Sequence, residues 1–294
     1  MSRREGDGDA NPKVLGLSIR AAGLFGLYMV VPSHSQVKDH AFAITTMASP
    51  VRHSILRHVH LPGLIPYQRA ALLQEHLVSR FLASKPPSNQ TAPAPHIITA
   101  EFTPVYTCGR REVGNVSVEQ QKYLRANGRA DFVEAMRGGQ TTFHGPGQLV
   151  AYPIVDLRTH KLSPRCYVDM LEKSLIATCA HYGIRAMTTE NTGVWTSEDD
   201  KIAAIGVHMR RNITSHGIGL NVNTDLWWFD RIVACGLEGK RATSFRKQGV
   251  DGESVEGVGT TFVKEVAKRL SGVERVQRLD EEEVKELLQT ADAR

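Results

Sequence analysis

One twelve-residue stretch constrains the fold of this chain more than any other: Arg137-Gly138-Gly139-Gln140-Thr141-Thr142-Phe143-His144-Gly145-Pro146-Gly147-Gln148. It carries four glycines, a proline and a histidine between two strand-like runs. Glycine adopts positive φ without a Cβ penalty and lets neighbouring groups approach the backbone closely, so the stretch reads as a tight connection within a sheet. The glycines by themselves fit a plain hairpin. Arg137, Gln140, His144 and Gln148 add a charge, two amides and an imidazole, which turns the reading toward a binding loop.

Around this loop the pattern mixes helix and strand. Pro66 opens a helical segment with Ala70, Leu73, Leu77 and Phe81 on one face. A Pro-rich loop at 85–95 leads to a β-rich run from His96 to Phe102 and then to VYTCGRR at 105–111. Ser117 with Gln120 predicts a capped short helix that stops at Gly128. Residues 148–155 (QLVAYPIV) read as a buried strand. Ser163 and Pro164 start a helix whose apolar face is Tyr167, Leu171, Leu175, Cys179 and Tyr182, with Gly183 ending it. β-rich segments follow at 192–196, 201–209 and 214–223, then a helix holding Trp227 and Trp228, capped by Thr224 or Asp225. Residues 259–270 and 280–290 read as closing amphipathic helices. The expected fold class is α+β (α/β), mixed β-sheets flanked by helices. The expected domains are an N-terminal extension at 1–60, a catalytic domain at 61–275 and a C-terminal helix at 276–294.

Charge and cysteine usage narrow the partners. A net charge of +5 and a pI of about 9.0 favour acidic partners. The cations are scattered, with no aromatic-interleaved basic stripe, which argues against nucleic acid. Cys108, Cys166, Cys179 and Cys235 form no CxxC pair, so no metal framework is visible and the chain reads as reduced and intracellular. The apolar run 14–31 is interrupted by Arg20 and three glycines, which argues against a membrane span. From Met47, MASPVRHSILRHVHLPG is basic and free of acid, as a short organellar leader would be; residues 1–46 then read as an upstream extension. His53, His58 and His60 read as surface residues.

Three further motifs carry chemistry. In Lys201-Ile202-Ala203-Ala204-Ile205-Gly206-Val207 a lysine opens a strand of small residues; it either points to water or aims its ammonium at a nucleophile. Ser215-His216-Gly217-Ile218-Gly219-Leu220-Asn221-Val222 is a glycine-punctuated strand, either bulged or lining a flat pocket. Ile232-Val233-Ala234-Cys235-Gly236-Leu237 ends an apolar run at a cysteine before glycine, as either a structural or a turn-exposed nucleophilic thiol.

In this order, with IPYQRAALLQ near Pro66 and PVYTCGRRE at 104–112, these motifs resemble the octanoyltransferase family, which is related in fold to lipoate and biotin ligases. The resemblance runs from about Pro66 to Phe245. It implies a biotin/lipoate ligase-like catalytic domain with a cysteine–lysine dyad: Cys235 matches the acyl-carrying cysteine and Lys201 its activating lysine. Arg137, Gly138, Gly139, Gln140, Thr141, Thr142, Phe143 and His144 match acyl-substrate-binding positions, as do Ala204, Ile205, Gly206, Gly217, Ile218 and Gly219. Ala234 stands where the family commonly has proline, and Cys108 departs within the Tyr-Thr-x-Gly-Arg stretch. The implied donor is octanoyl-acyl carrier protein. The implied acceptors are lipoyl domains of 2-oxoacid dehydrogenase complexes or the glycine cleavage H protein, in the mitochondrion. No cofactor or metal is implied.

A free thiol has a pKa near 8.5, so Cys235 needs a neighbour such as the Lys201 ammonium to favour its thiolate. Backbone N–H groups near Gly206 or Gly236, or the His144 ring, are candidate oxyanion donors. An ATP-dependent ligase would keep the lysine and not require Cys235. A non-catalytic carrier-binding module would require neither, and a thiol protease would pair Cys235 with His144.

Overall fold

The computed structural model describes residues 55–232 and 239–293. The apolar run 14–31, His53, residues 47–54 of the expected leader, Cys235 and Gly236 lie outside the described residues, whereas 55–63 of that leader lie within them. In chain order the elements are β1 (Ile55–Ile65), α1 (Tyr67–Ala83), β2 (His96–Phe102), β3 (Val105–Cys108), α2 (Val118–Leu124), β4 (Asp131–Glu134), β5 (Thr142–His144), β6 (Gln148–Ile154), α3 (Pro164–His181), β7 (Val194–Trp195), β8 (Asp200–Arg210), β9 (Ile213–Asn221), a 3-10 helix (Leu226–Arg231), β10 (Arg241–Ala242), α4 (Val255–Arg269), β11 (Arg275–Arg278) and α5 (Glu281–Asp292).

Two sheets result. The larger runs β10-β8-β9-β6-β2-β1-β11, with β7 paired to β8, and the smaller runs β4-β3-β5. Both mix parallel and antiparallel pairs. Alternation in β6 decides the layers. Leu149 and Ala151 point into a core with Leu171 and Leu175 of α3 and Phe262 and Val266 of α4. Val150, Tyr152 and Ile154 point the other way, onto Leu73, Leu77 and Phe81 of α1 and Val284 of α5. The fold is therefore mixed sheets flanked by helices. A third core joins the small sheet to the 226–231 turn through Tyr106, Phe132, Phe143 and Trp228.

Local caps set the helix starts. Ser163 Oγ accepts from the Cys166 N–H at 3.1 Å, with Pro164 in the first turn. Asp280 and Glu283 form a reciprocal capping box at α5. Asp225, rather than Thr224, accepts from the Trp227 N–H at 3.0 Å.

Strand β1 begins at Ile55, within the stretch read as an extension, and β11 pairs with it in parallel. The histidines and arginine of β1 and the short, polar β11 hide the strand pattern. His58 is corrected by the structure: it is 2% exposed, and its Nε2 lies 2.8 Å from Thr99 Oγ1. Membership of an interior strand buries it. Burial holds its pKa down at about 4.

The folded state keeps His58 neutral between pH 6.5 and about 4, while the unfolded chain takes up a proton there, so stability falls as pH drops through that window. Urea titrations at pH 7 and pH 4.5 are expected to show a smaller pH-dependent loss for His58→Gln than for the unsubstituted chain.

Candidate functional site

A cavity of about 350 Å³ opens where β8 and β9 meet the 137–148 loop. Its wall has a seam of small residues, because the register pairs Ala204 with Gly219 and Gly206 with Gly217. The loop lies directly on this seam: the Gly138 N–H donates to the Val207 carbonyl at 3.0 Å. A Cβ on Gly206 would stand 2.9 Å from the Gly138 carbonyl oxygen, and one on Gly109 would stand 1.9 Å from that of Gly139. The glycines here serve close backbone approach.

Arg137 is 6% exposed and holds the loop in shape. Its Nη1 donates to the carbonyls of Gly138 and Gln140, both at 2.9 Å, while Nε and Nη2 engage Thr107. All five of its N–H donors are thereby engaged, so Arg137 brings charge and shape to the cavity rather than a spare donor.

Strand alternation separates the next three residues. Thr142 and His144 line the cavity, whereas Phe143 is fully buried on the opposite side, stacked on Trp228 at 4.8 Å. Burial pushes the His144 pKa down to about 4, with the Arg137 cation adding to it. Gln148 Nε2 donates to the Phe143 carbonyl and to Asn221 Oδ1 (2.8 Å), so its Oε1 faces His144 Nδ1 at 2.6 Å. Nδ1 therefore carries the proton and Nε2 is the basic nitrogen. Asn221 Nδ2 continues the line to the Thr243 carbonyl at 2.9 Å.

His216 breaks the alternation of β9. Ile218 and Leu220 enter the α3/α4 core, but a φ of 55° at His216 turns its ring to the cavity side, 5.5 Å from Tyr152. Its backbone N–H donates to Gln74 Oε1 on α1 at 2.5 Å.

Lys201 also lines the cavity and is 8% exposed. Its Nζ lies 4.9 Å from the Trp195 ring centroid, a cation–π contact. Its stem runs against Gly193, where a Cβ would stand 2.4 Å from Lys201 Cε; Gly193 has a φ of 126°. Sequence reasoning had not marked Gly193, though a glycine just before the Val194-Trp195 strand was its signal.

Among the described residues the lining holds four cations, Arg111, Arg137, Lys201 and Arg241, and no carboxylate. Such a field favours a thiolate or an oxyanion over its neutral form. Of the sequence candidates, Gly138 and Phe143 do not line the cavity and Cys235 lies outside the described residues; the others line it. Tyr67, Asn191 and Phe229 line it without having been expected. They come from elements far apart in sequence and carry no local signal. Among the described residues, no group of three or more His, Cys, Asp or Glu is placed to hold a metal. Cys108 and Cys179 are buried free thiols, and Cys166 is exposed.

Imidazole ¹⁵N NMR is expected to find His144 as the neutral Nδ1–H tautomer down to about pH 4.5. A neutral Nε2–H tautomer would contradict the hydrogen-bond line from Gln148 to Thr243, and protonation near pH 6.5 would contradict the burial of the ring.

The lipoyl protein ligase A/B catalytic-domain model matches residues 66–267. The "Probable octanoyltransferase" of Schizosaccharomyces pombe is 54% identical over 198 residues, covering 66% of this chain and 88% of the relative. The octanoyl-acyl-carrier-protein:protein N-octanoyltransferase, mitochondrial, of Danio rerio is 45% identical, covering 67% and 84%. A bi-partite lipoate protein ligase from Thermoplasma acidophilum has the same fold, with a TM-score of 0.57 at 16% identity, covering 81% of this chain and 92% of that one. The chain belongs to the lipoyl protein ligase A/B catalytic-domain family, among its octanoyltransferases.

Proposed function

We propose that this protein moves an octanoyl group from octanoyl-acyl carrier protein, through a thioester on Cys235, to the lysine amine of lipoyl domains. It is an acyltransferase, placed in the mitochondrion like its zebrafish relative. The acceptors are the lipoyl domains of 2-oxoacid dehydrogenase complexes or the glycine cleavage H protein.

The observation that carries this reading is the register of β10 on β8. Ala242 pairs with Lys201, and the Thr243 N–H donates to the Lys201 carbonyl at 2.9 Å. Ile232 and Ala242 line the same cavity as Lys201. Cys235 is three residues beyond Ile232, a distance an extended chain covers in about 10 Å. Both tethers of its segment are thus anchored at the cavity that receives the lysine.

In the first half-reaction the Cys235 thiolate attacks the octanoyl carbonyl. The tetrahedral adduct collapses, the carrier's phosphopantetheine sulfur leaves, and it takes a proton from Lys201. In the second half the acceptor amine must be neutral, against an ordinary lysine pKa of about 10.4. Lys201, now a neutral amine, accepts the proton that the acceptor nitrogen sheds as it attacks the thioester, and the Cys235 thiolate leaves. The seam of Ala204, Gly206, Gly217 and Gly219 receives the alkyl chain, each buried CH₂ contributing about 0.8 kcal/mol.

Mixing the protein with octanoyl-acyl carrier protein and no ATP is expected to add one octanoyl group to Cys235, seen by intact mass and removed by hydroxylamine. Cys235→Ala takes up none. Retained transfer by Cys235→Ala with an ATP requirement would instead identify a ligase.

Gly193→Ala and Lys201→Ala are expected to raise the pH midpoint of Cys235 alkylation and to slow acyl loading, with circular dichroism unchanged. The strain of a left-handed alanine, about 1–3 kcal/mol, bears on the lysine stem. An unchanged alkylation profile in both variants would remove Lys201 from its role.

A further inference from the structure

The 226–231 turn has two faces. Inward, Trp228 stacks on Phe143, and Phe229 reaches the cavity. Outward, Trp227 is 39% exposed at the edge of a separate shallow cleft of about 450 Å³, formed with α2 and the residues after it. Three cations border this cleft, Lys122, Arg129 and Arg231, against one carboxylate, Glu119. None of the three forms a salt bridge with a carboxylate among the described residues.

Aromatic rings flank two of these cations. The Arg129 guanidinium lies 4.9 Å from the Trp227 ring centroid. That of Arg231 lies 4.0 Å from Tyr123 and 4.9 Å from Trp227, and its Nη2 donates to the Tyr123 carbonyl. Arg231 Nε is buried with no hydrogen-bond partner among the described residues. A surface that holds two of its cations by cation–π contact, and leaves all three without a carboxylate salt bridge among the described residues, is prepared for an anionic partner.

We propose that this cleft docks the acidic acyl carrier protein that delivers the octanoyl thioester, an inference resting on the transferase reading above. Charge complementarity selects an acidic partner, and the position selects the donor. Trp227 and Arg231 border the cleft while Phe229 and Ile232 of the same segment line the cavity, and Arg231 stands four residues before Cys235. A thioester on a long phosphopantetheine arm spans such an offset while the carrier body rests on Trp227 and Arg129. An acceptor lysine has a much shorter reach and must be presented at the cavity itself. The arm's phosphodiester adds an anion of the kind that Arg recognises.

The test measures binding of holo-acyl carrier protein to the full chain by isothermal calorimetry, with a lipoyl domain as the second ligand. Arg129→Glu and Lys122→Glu, both at exposed positions, are expected to weaken carrier binding about tenfold or more, to flatten its salt dependence, and to leave lipoyl-domain binding unchanged. In the same variants, loading of Cys235 from the small donor octanoyl-pantetheine is expected to proceed at the unsubstituted rate, which excludes a folding defect. Unchanged carrier binding, or weakened binding of the lipoyl domain instead, would overturn the proposal. Failure of the transferase reading would show separately, as no loading of the unsubstituted chain from either donor.

Discussion

The 137–140 loop rests on β8 at backbone contact distance, and the cavity exists because of that approach. Gly138 donates to Val207, while Gly206 and Gly109 leave room for the facing carbonyls of Gly138 and Gly139. A side chain at Gly206 or Gly109 would lift the loop and open the cavity to water. Arg137 then completes the lid from within, tying the loop to Thr107 of β3. The small sheet is thereby fastened to the large one at the place where a substrate would lie. Phe143, stacked on Trp228, extends the same fastening to the turn that precedes Cys235.

The electrostatics follow from this enclosure. Burial of the rings, with the Arg137 cation adding to it, penalises another positive charge, so His144 and His216 are held neutral, His216 down to about 3. A neutral His144 with its proton on Nδ1 serves as an acceptor toward the cavity. Lys201 occupies the same enclosure, against the Trp195 ring face and the bare backbone of Gly193. A thiolate leaving or forming there meets positive charge fixed in advance, which is the main means by which such a site would lower a barrier.

Legibility in the sequence was uneven, for physical reasons. The helices from Pro66 and Pro164 announced themselves through periodicity and caps, which are local. So did the glycine loop, whose residues serve the tight approach that their lack of Cβ implied. Strands β1 and β11 gave little signal, since their residues alternate weakly and their partners are distant in sequence; the burial of His58 was missed for the same reason. Phe143, read with its neighbours as part of the loop, faces away from the cavity because a three-residue strand sends alternate side chains to opposite sides. His216 went the other way, a left-handed φ delivering its ring to the cavity that alternation would have denied it.

By itself the sequence determined the inventory and its local geometry: which groups are present, where the chain must turn, which helices start where, and which family motifs stand in which order. Tertiary structure alone decided that β10 pairs with β8 beside Lys201, that Tyr67 of α1 and Tyr152 of β6 share one wall, and that Gly193 makes room for a lysine eight residues on. Those outcomes depend on long-range strand register and on close packing between distant segments. No short window of residues encodes either, because the partner that settles each contact lies elsewhere in the chain.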